Sequence, residues 1–152
     1  MHDKTAQILG VGGGLAFAIS TALPWYSESV GVSGLAAGSS NTSLQITYSA
    51  WDIWTLAPVL LVIAIAVGVI LLFLLNRLGP KAGFATAILG LVVAAYCFSR
   101  ILFVPDMGEI SVGTGLDELD LRAGPFLATL SAGAVMIGGL TAAFLAEEDE
   151  AT

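Results

Sequence analysis

Four stretches of the chain, about residues 5–23, 53–75, 82–103 and 123–146, are apolar over the length a helix needs to cross a bilayer. A hydrocarbon core of about 30 Å takes roughly 20 residues in helical form. The first stretch is the weakest, because Gly10, Gly12, Gly13 and Gly14 dilute it. The second, rich in Val, Ile and Leu, is the strongest. Only 11% of the residues are charged, against about 25% in an ordinary soluble domain. So few charges cannot cover a water-facing surface, and lipid is the natural cover. The expected fold is an all-α membrane domain over 1–152: an antiparallel four-helix transmembrane bundle with a small outer cap.

The connections set the topology. Asn76-Arg77-Leu78-Gly79-Pro80-Lys81 is a short link with two helix breakers, which forces an antiparallel hairpin. The loops at about 26–50 and 104–121 contain no Lys or Arg. Basic residues in short loops stay cytoplasmic. Lys4, Arg77 and Lys81 therefore place both termini inside and both long loops outside, in a multi-pass protein of the cell membrane; Arg100 and Arg122, which flank the second loop, run against this rule. A cleaved signal peptide ending near Thr21-Ala22-Leu23 would leave an odd number of spans, so the first stretch is read as retained.

The net charge of −7 belongs to loops and tail. Four acids lie in the tail 147–152, and five lie between Asp106 and Asp120. With only five Lys and Arg, the chain offers little to nucleic-acid phosphates. The expected partners are membrane lipids and another membrane protein or a second copy of the chain. The one cysteine, Cys97, allows no intrachain disulfide.

Several features carry local expectations. Trp25, Tyr26, Trp51 and Trp54 cluster where the first span ends and the second begins, as headgroup-level aromatics do. Leu44-Gln45-Ile46-Thr47-Tyr48 alternates like a strand and could pair with 30–34 as a short β-hairpin in the first loop. Ser49-Ala50-Trp51-Asp52 fits a capping box, and Pro58 should kink the second span or sit in its first turn. Gly10 and Gly14, Gly83 and Ala87, and Gly124 and Ala128 repeat at intervals of four, which puts small residues on one helix face. These faces serve either packing within the bundle or self-association.

Arg100, in the last turn of the third span, is costly there unless it snorkels or pairs. Asp52, at the same expected depth, is the candidate partner in an outer-mouth ion pair. A site for an anionic group is the alternative. Asp117, Glu118 and Asp120 match no complete calcium loop, and a solvated acidic loop is expected. Asn41-Thr42-Ser43 is a glycosylation sequon, of use only in a secretory host.

Much chemistry is missing. The only histidine is His2, which argues against membrane haem ligation, and no acid lies mid-membrane for proton coupling. No catalytic, cofactor-binding or metal-ligating set is expected.

Leu23-Pro24-Trp25-Tyr26, Trp51-Asp52-Ile53-Trp54, Arg100 and Asp120-Leu121-Arg122-Ala123-Gly124-Pro125 together resemble the small four-span membrane proteins of unknown function found in actinobacteria. That resemblance implies the fold and no activity. The arrangement of a large first loop and a smaller second one is similar to claudin-like tetraspan proteins in topology only, since the first loop lacks their cysteine pair and Gly-Leu-Trp signature. The function expected is a non-enzymatic accessory or scaffold protein of the membrane. The alternatives are a small channel or transporter using Thr86, Ser99, Arg100 and Thr129, and a lipid- or quinone-related enzyme using Arg100 and Asp52.

Overall fold

The computed structural model describes residues 2–32, 42–53, 56–75, 79–103 and 120–150. Trp54, Arg77, Asn41 of the sequon, Asp117 and Glu118 lie outside them. The elements run α1 (His2–Ala22), β1 (Pro24–Val32), β2 (Thr42–Ser49), α2 (Ala50–Ile53), α3 (Leu56–Leu74), α4 (Pro80–Leu102), β3 (Asp120–Leu121) and α5 (Ala123–Glu150). Three stretches are helical, long and apolar enough to cross a membrane: Lys4–Ala22, Pro80–Leu102 and Ala123–Ala146. α3 runs 19 residues, Leu56–Leu74, and Val62–Leu74 within it is an apolar helix.

Each boundary has a local cause. Pro80 sits at the first position of α4, where its missing N–H costs nothing and its fixed φ suits a helix. Pro58 falls in the first turn of α3, one of the two expected places. The capping box at Ser49 starts α2 (Ala50–Ile53), and α3 covers 56–74 of the expected second span; residues 54 and 55 lie outside the described residues. The acidic residues 147–150 of the expected tail continue α5.

Small residues decide how the helices meet. α5 lies between α1 and α4, and α3 packs on α1. A methyl group added at Gly83 would sit 2.8 Å from backbone atoms of Gly139 and Ala143, so α4 and α5 touch backbone to backbone. Gly90 meets Ala132 and Met136 in the same way, and Gly13 meets Ser131 of α5. Gly10 and Gly14 receive Phe73 and Ile70 of α3. Ala87, Ala128 and Ala132 are buried. The four-residue spacing therefore serves packing within one chain. In lipid, where apolar side chains gain little by leaving their surroundings, such close approach is the main source of helix association.

Large apolar side chains lie on the opposite faces. Ile8, Leu15 and Ile19 of α1, Leu71 of α3, Leu91 of α4 and Leu130 of α5 are all exposed. A water-soluble monomer rarely shows such a continuous apolar surface. With the three long apolar helices, this makes the chain a helical membrane protein.

A hairpin is present over the expected strand 44–48, but its partner is 26–30 rather than 30–34. β1 and β2 pair antiparallel from Pro24↔Ser49 to Val32↔Thr42, with Val30 opposite Leu44. β3 adds to the other side of β1 through Tyr26↔Leu121 and Ser27↔Asp120, giving the order β2-β1-β3. The sheet sits where α1 ends and α5 begins, at what is here termed the sheet end.

Candidate functional site

The sheet end is built around two adjacent aromatic residues. Side chains normally alternate across a strand, yet Trp25, Tyr26 and Ser27 are each only 1% exposed. A register shift between Pro24 and Tyr26 interrupts the β1–β2 register at Trp25. A bulge of this kind re-aims side chains, and here it accounts for Trp25 and Tyr26 both reaching the helices. The Trp25 Nε1–H donates to the Ser20 carbonyl at the end of α1 (2.8 Å). The Tyr26 hydroxyl donates to the Arg100 carbonyl at the end of α4 (3.0 Å). The last four carbonyls of a helix have no partner within it, so the two rings cap two helices. Trp25 also fills the notch left by Gly124 of α5. The sequence reading of Trp25 and Tyr26 as headgroup anchors is thus corrected: both are core. Trp51, 39% exposed, keeps an accessible ring.

Tyr26 is held away from ionisation. Burial pushes its phenol above the usual value, and the nearby Arg100 charge opposes this only in part.

Arg122 ties the third helix end to the sheet. Its backbone N–H donates to the Trp25 carbonyl (2.9 Å) and its Nε–H to the Ser27 hydroxyl (2.7 Å). Its guanidinium lies 4.0 Å from the Asp120 carboxylate, the only ion pair among the described residues. Neither β3 nor this role was read from the sequence. Asp120 was assigned to a solvated loop, and a two-residue strand shows no period to detect.

Asp52 and Arg100 are not brought together. The Asp52 carboxylate accepts the backbone N–H and the hydroxyl of Ser49, both at 2.7 Å. This is the backward half of the capping box. The Ser49 hydroxyl and then its N–H hold the Asp52 carboxyl below the usual carboxylate range. Arg100 turns instead along its own helix. Its Nη2 donates to the Tyr96 hydroxyl (2.9 Å), and its guanidinium carbon lies 5.1 Å from the Tyr96 ring centre, within cation–π range. Equal depth in a membrane does not imply the same side of the molecule, and the ion-pair expectation had only depth to go on.

The hydroxyls that a polar pathway would use are bonded back to their own helices. Thr86 donates to the Ala82 carbonyl, Ser99 to Tyr96 and Thr129 to Pro125. Among the described residues no three His, Cys, Asp or Glu side chains gather as a metal site would require.

One cavity accompanies this junction. It holds about 60 Å³ between α3 and α4, and all four long helices contribute to its wall. Phe17, Val62, Val69, Leu89, Val93 and Val135 are among its lining residues, and none of the lining residues is polar. α3 contacts α1 and α4 contacts α5, but among the described residues α3 and α4 share no extended contact. The cavity is therefore partly open along the gap between them.

No family model matches the chain, and no curated protein or solved structure does either.

Proposed function

We propose that the chain is a four-span accessory or scaffold protein of the cell membrane, with both termini cytoplasmic, which associates with another membrane protein or with a second copy of itself. The observation that carries this reading is the sheet. Three separate side-chain contacts lock it to the ends of α1, α4 and α5, yet among the described residues β2 is an edge strand. Gln45, Ile46 and Thr47 along it are exposed, Ile46 by 42%. An edge presents unpaired N–H and C=O groups that can take up a further strand. A rigid base beneath an open edge suits a docking part better than a moving one. α3 serves as the fourth span, its sheet-end residues completing the crossing. Because the small-residue faces are filled within the chain, the edge strand is the surface we assign to association.

Channel and enzyme readings gain less support. The candidate pathway hydroxyls bond their own helices, and Asp52 and Arg100 have separate partners.

The test is a photo-crosslinking residue at position 46, compared with one at Leu91 on the lipid side of α4, in intact membranes. Discrete protein adducts from position 46 and none from position 91 are expected. A chain that stays monomeric and forms no adduct from position 46 would remove the proposal. The topology is tested apart from this, with an enzyme fused to the C-terminus that works only outside; activity there would contradict it.

A further inference from the structure

We infer that the gap between α3 and α4 holds one hydrocarbon chain of an anionic phospholipid, with the lipid phosphate on Arg100. Leu89 and Val93 of α4 line the cavity. Tyr96 and Arg100 follow Val93 by three and seven residues, so they share its helix face. The cavity wall and the charged group thus form one continuous stripe. It runs from apolar side chains at mid-helix to a guanidinium in the last turn.

Three observations select the occupant. First, the cavity is wholly apolar and about 60 Å³. An engineered apolar cavity of about 150 Å³ is the scale that encloses benzene, so this one is too small for a closed ligand chamber. It suits a chain lying lengthwise with one flank in the bilayer. Second, the bulky or branched Phe17, Val62, Ile65, Leu89 and Val93 are among the lining residues, beside small ones that α1, α3, α4 and α5 contribute. A second transmembrane helix approaches best over small residues, and here those residues are already used between α4 and α5. Third, Arg100 has no carboxylate within 4.0 Å among the described residues. Its Nη2 contact to Tyr96 leaves other donors of the guanidinium fork for a phosphate, which Arg can bind in a bidentate manner. Arg100 stands twenty residues above Pro80, about 30 Å at the helical rise. That is close to the thickness of a hydrocarbon core, and so to the depth of a lipid phosphate.

The inference rests on the membrane placement and not on any protein partner. It can succeed where the edge-strand proposal fails. The test is native mass spectrometry of the full chain, purified in mild detergent and titrated with phosphatidylglycerol or phosphatidylcholine of equal chain length. One phosphatidylglycerol per chain is expected, bound about tenfold more tightly than phosphatidylcholine, as suits one charge-assisted contact. Arg100→Gln should abolish that preference, and Arg100→Lys should keep part of it. Ile65→Trp, at an exposed part of the wall, should lower binding of both lipids while the protein stays folded by circular dichroism. Val93→Phe provides a second filled variant should the first not fold. Equal affinity of the wild type for the two lipids would overturn the inference. So would an unchanged preference in Arg100→Gln, or recovery of a protein helix crosslinked from position 65.

Discussion

The two faces of α4 are made for different neighbours. One carries Gly83, Ala87 and Gly90, and it is sealed against the α5 backbone. The other carries Leu89, Val93, Tyr96 and Arg100, and it faces a gap that α3 does not close. Both faces are apolar over most of their length, so hydrophobicity cannot be what separates them. The difference is side-chain size. Where nothing is gained by leaving hydrocarbon, helices associate where backbones can come close. A branched face gains no such contact and remains available to lipid. In this chain, apolar content tells which segments enter the membrane, and the placement of glycine and alanine tells which of their faces meet protein.

The comparison is most readily broken at the sealed face. Gly83→Leu would drive a side chain into the backbone of Gly139 and Ala143, where no rotamer change can give relief. A loss of about 3 kcal/mol or failure to fold is expected, read as thermal stability in detergent. A one-methylene enlargement at the open face, Val93→Leu, should cost under about 1.5 kcal/mol. Similar losses at both sites would remove the distinction.

The sheet end gives a smaller effect with a pH signature. Tyr26→Phe deletes the bond to the Arg100 carbonyl, for an expected loss of about 1 kcal/mol. Because burial raises the Tyr26 phenol above its ordinary 10.0, folding favours the protonated form. That contribution is whole below pH 10 and is lost as pH rises through the raised value. Denaturation followed from pH 9 upward should therefore show a steeper fall for the wild type than for Tyr26→Phe. Parallel curves would contradict burial of this hydroxyl.

The smallest effects concern Asp52 and Arg100. Asp52→Ala should lose about 0.5–1 kcal/mol of helix-start stability. Since the Asp52 carboxyl is lowered by Ser49, that contribution is present above the ordinary carboxylate range and fades as pH falls through the lowered value. Combined with Arg100→Ala, the losses should add within about 0.5 kcal/mol. A larger coupling would mean that the two charges meet after all.

The helical body was legible because it rests on length and hydropathy. Pro80 and the acidic approach to Ala123 gave real boundaries, and the spacing of Gly83 with Ala87 marked a real contact face. The sheet end was legible only in part. The alternation of 44–48 pointed to β2, but its partner was misplaced: 44–48 lies opposite 26–30, not 30–34. Trp25 and Tyr26 were misassigned because headgroup anchoring and helix capping use the same residue types at the same place in the sequence. What separates them is a one-residue bulge, and a bulge leaves no mark in hydropathy. The groove was illegible for a related reason. Its wall combines Leu89 and Val93 with residues of three other helices, and which helix faces stay apart is settled only when the small-residue faces have found one another.

The most direct measurement is an oxygen-accessibility scan with single spin labels along α4, from Gly83 to Arg100, in liposomes. The account predicts low accessibility at Gly83, Ala87, Gly90 and Cys97, high accessibility at Ile88, Leu91 and Val92, and substantial lipid access at Leu89 and Val93. Labels at Leu89 and Val93 as sealed as the one at Gly90, or water-borne relaxation agents reaching the middle of α4, would contradict it.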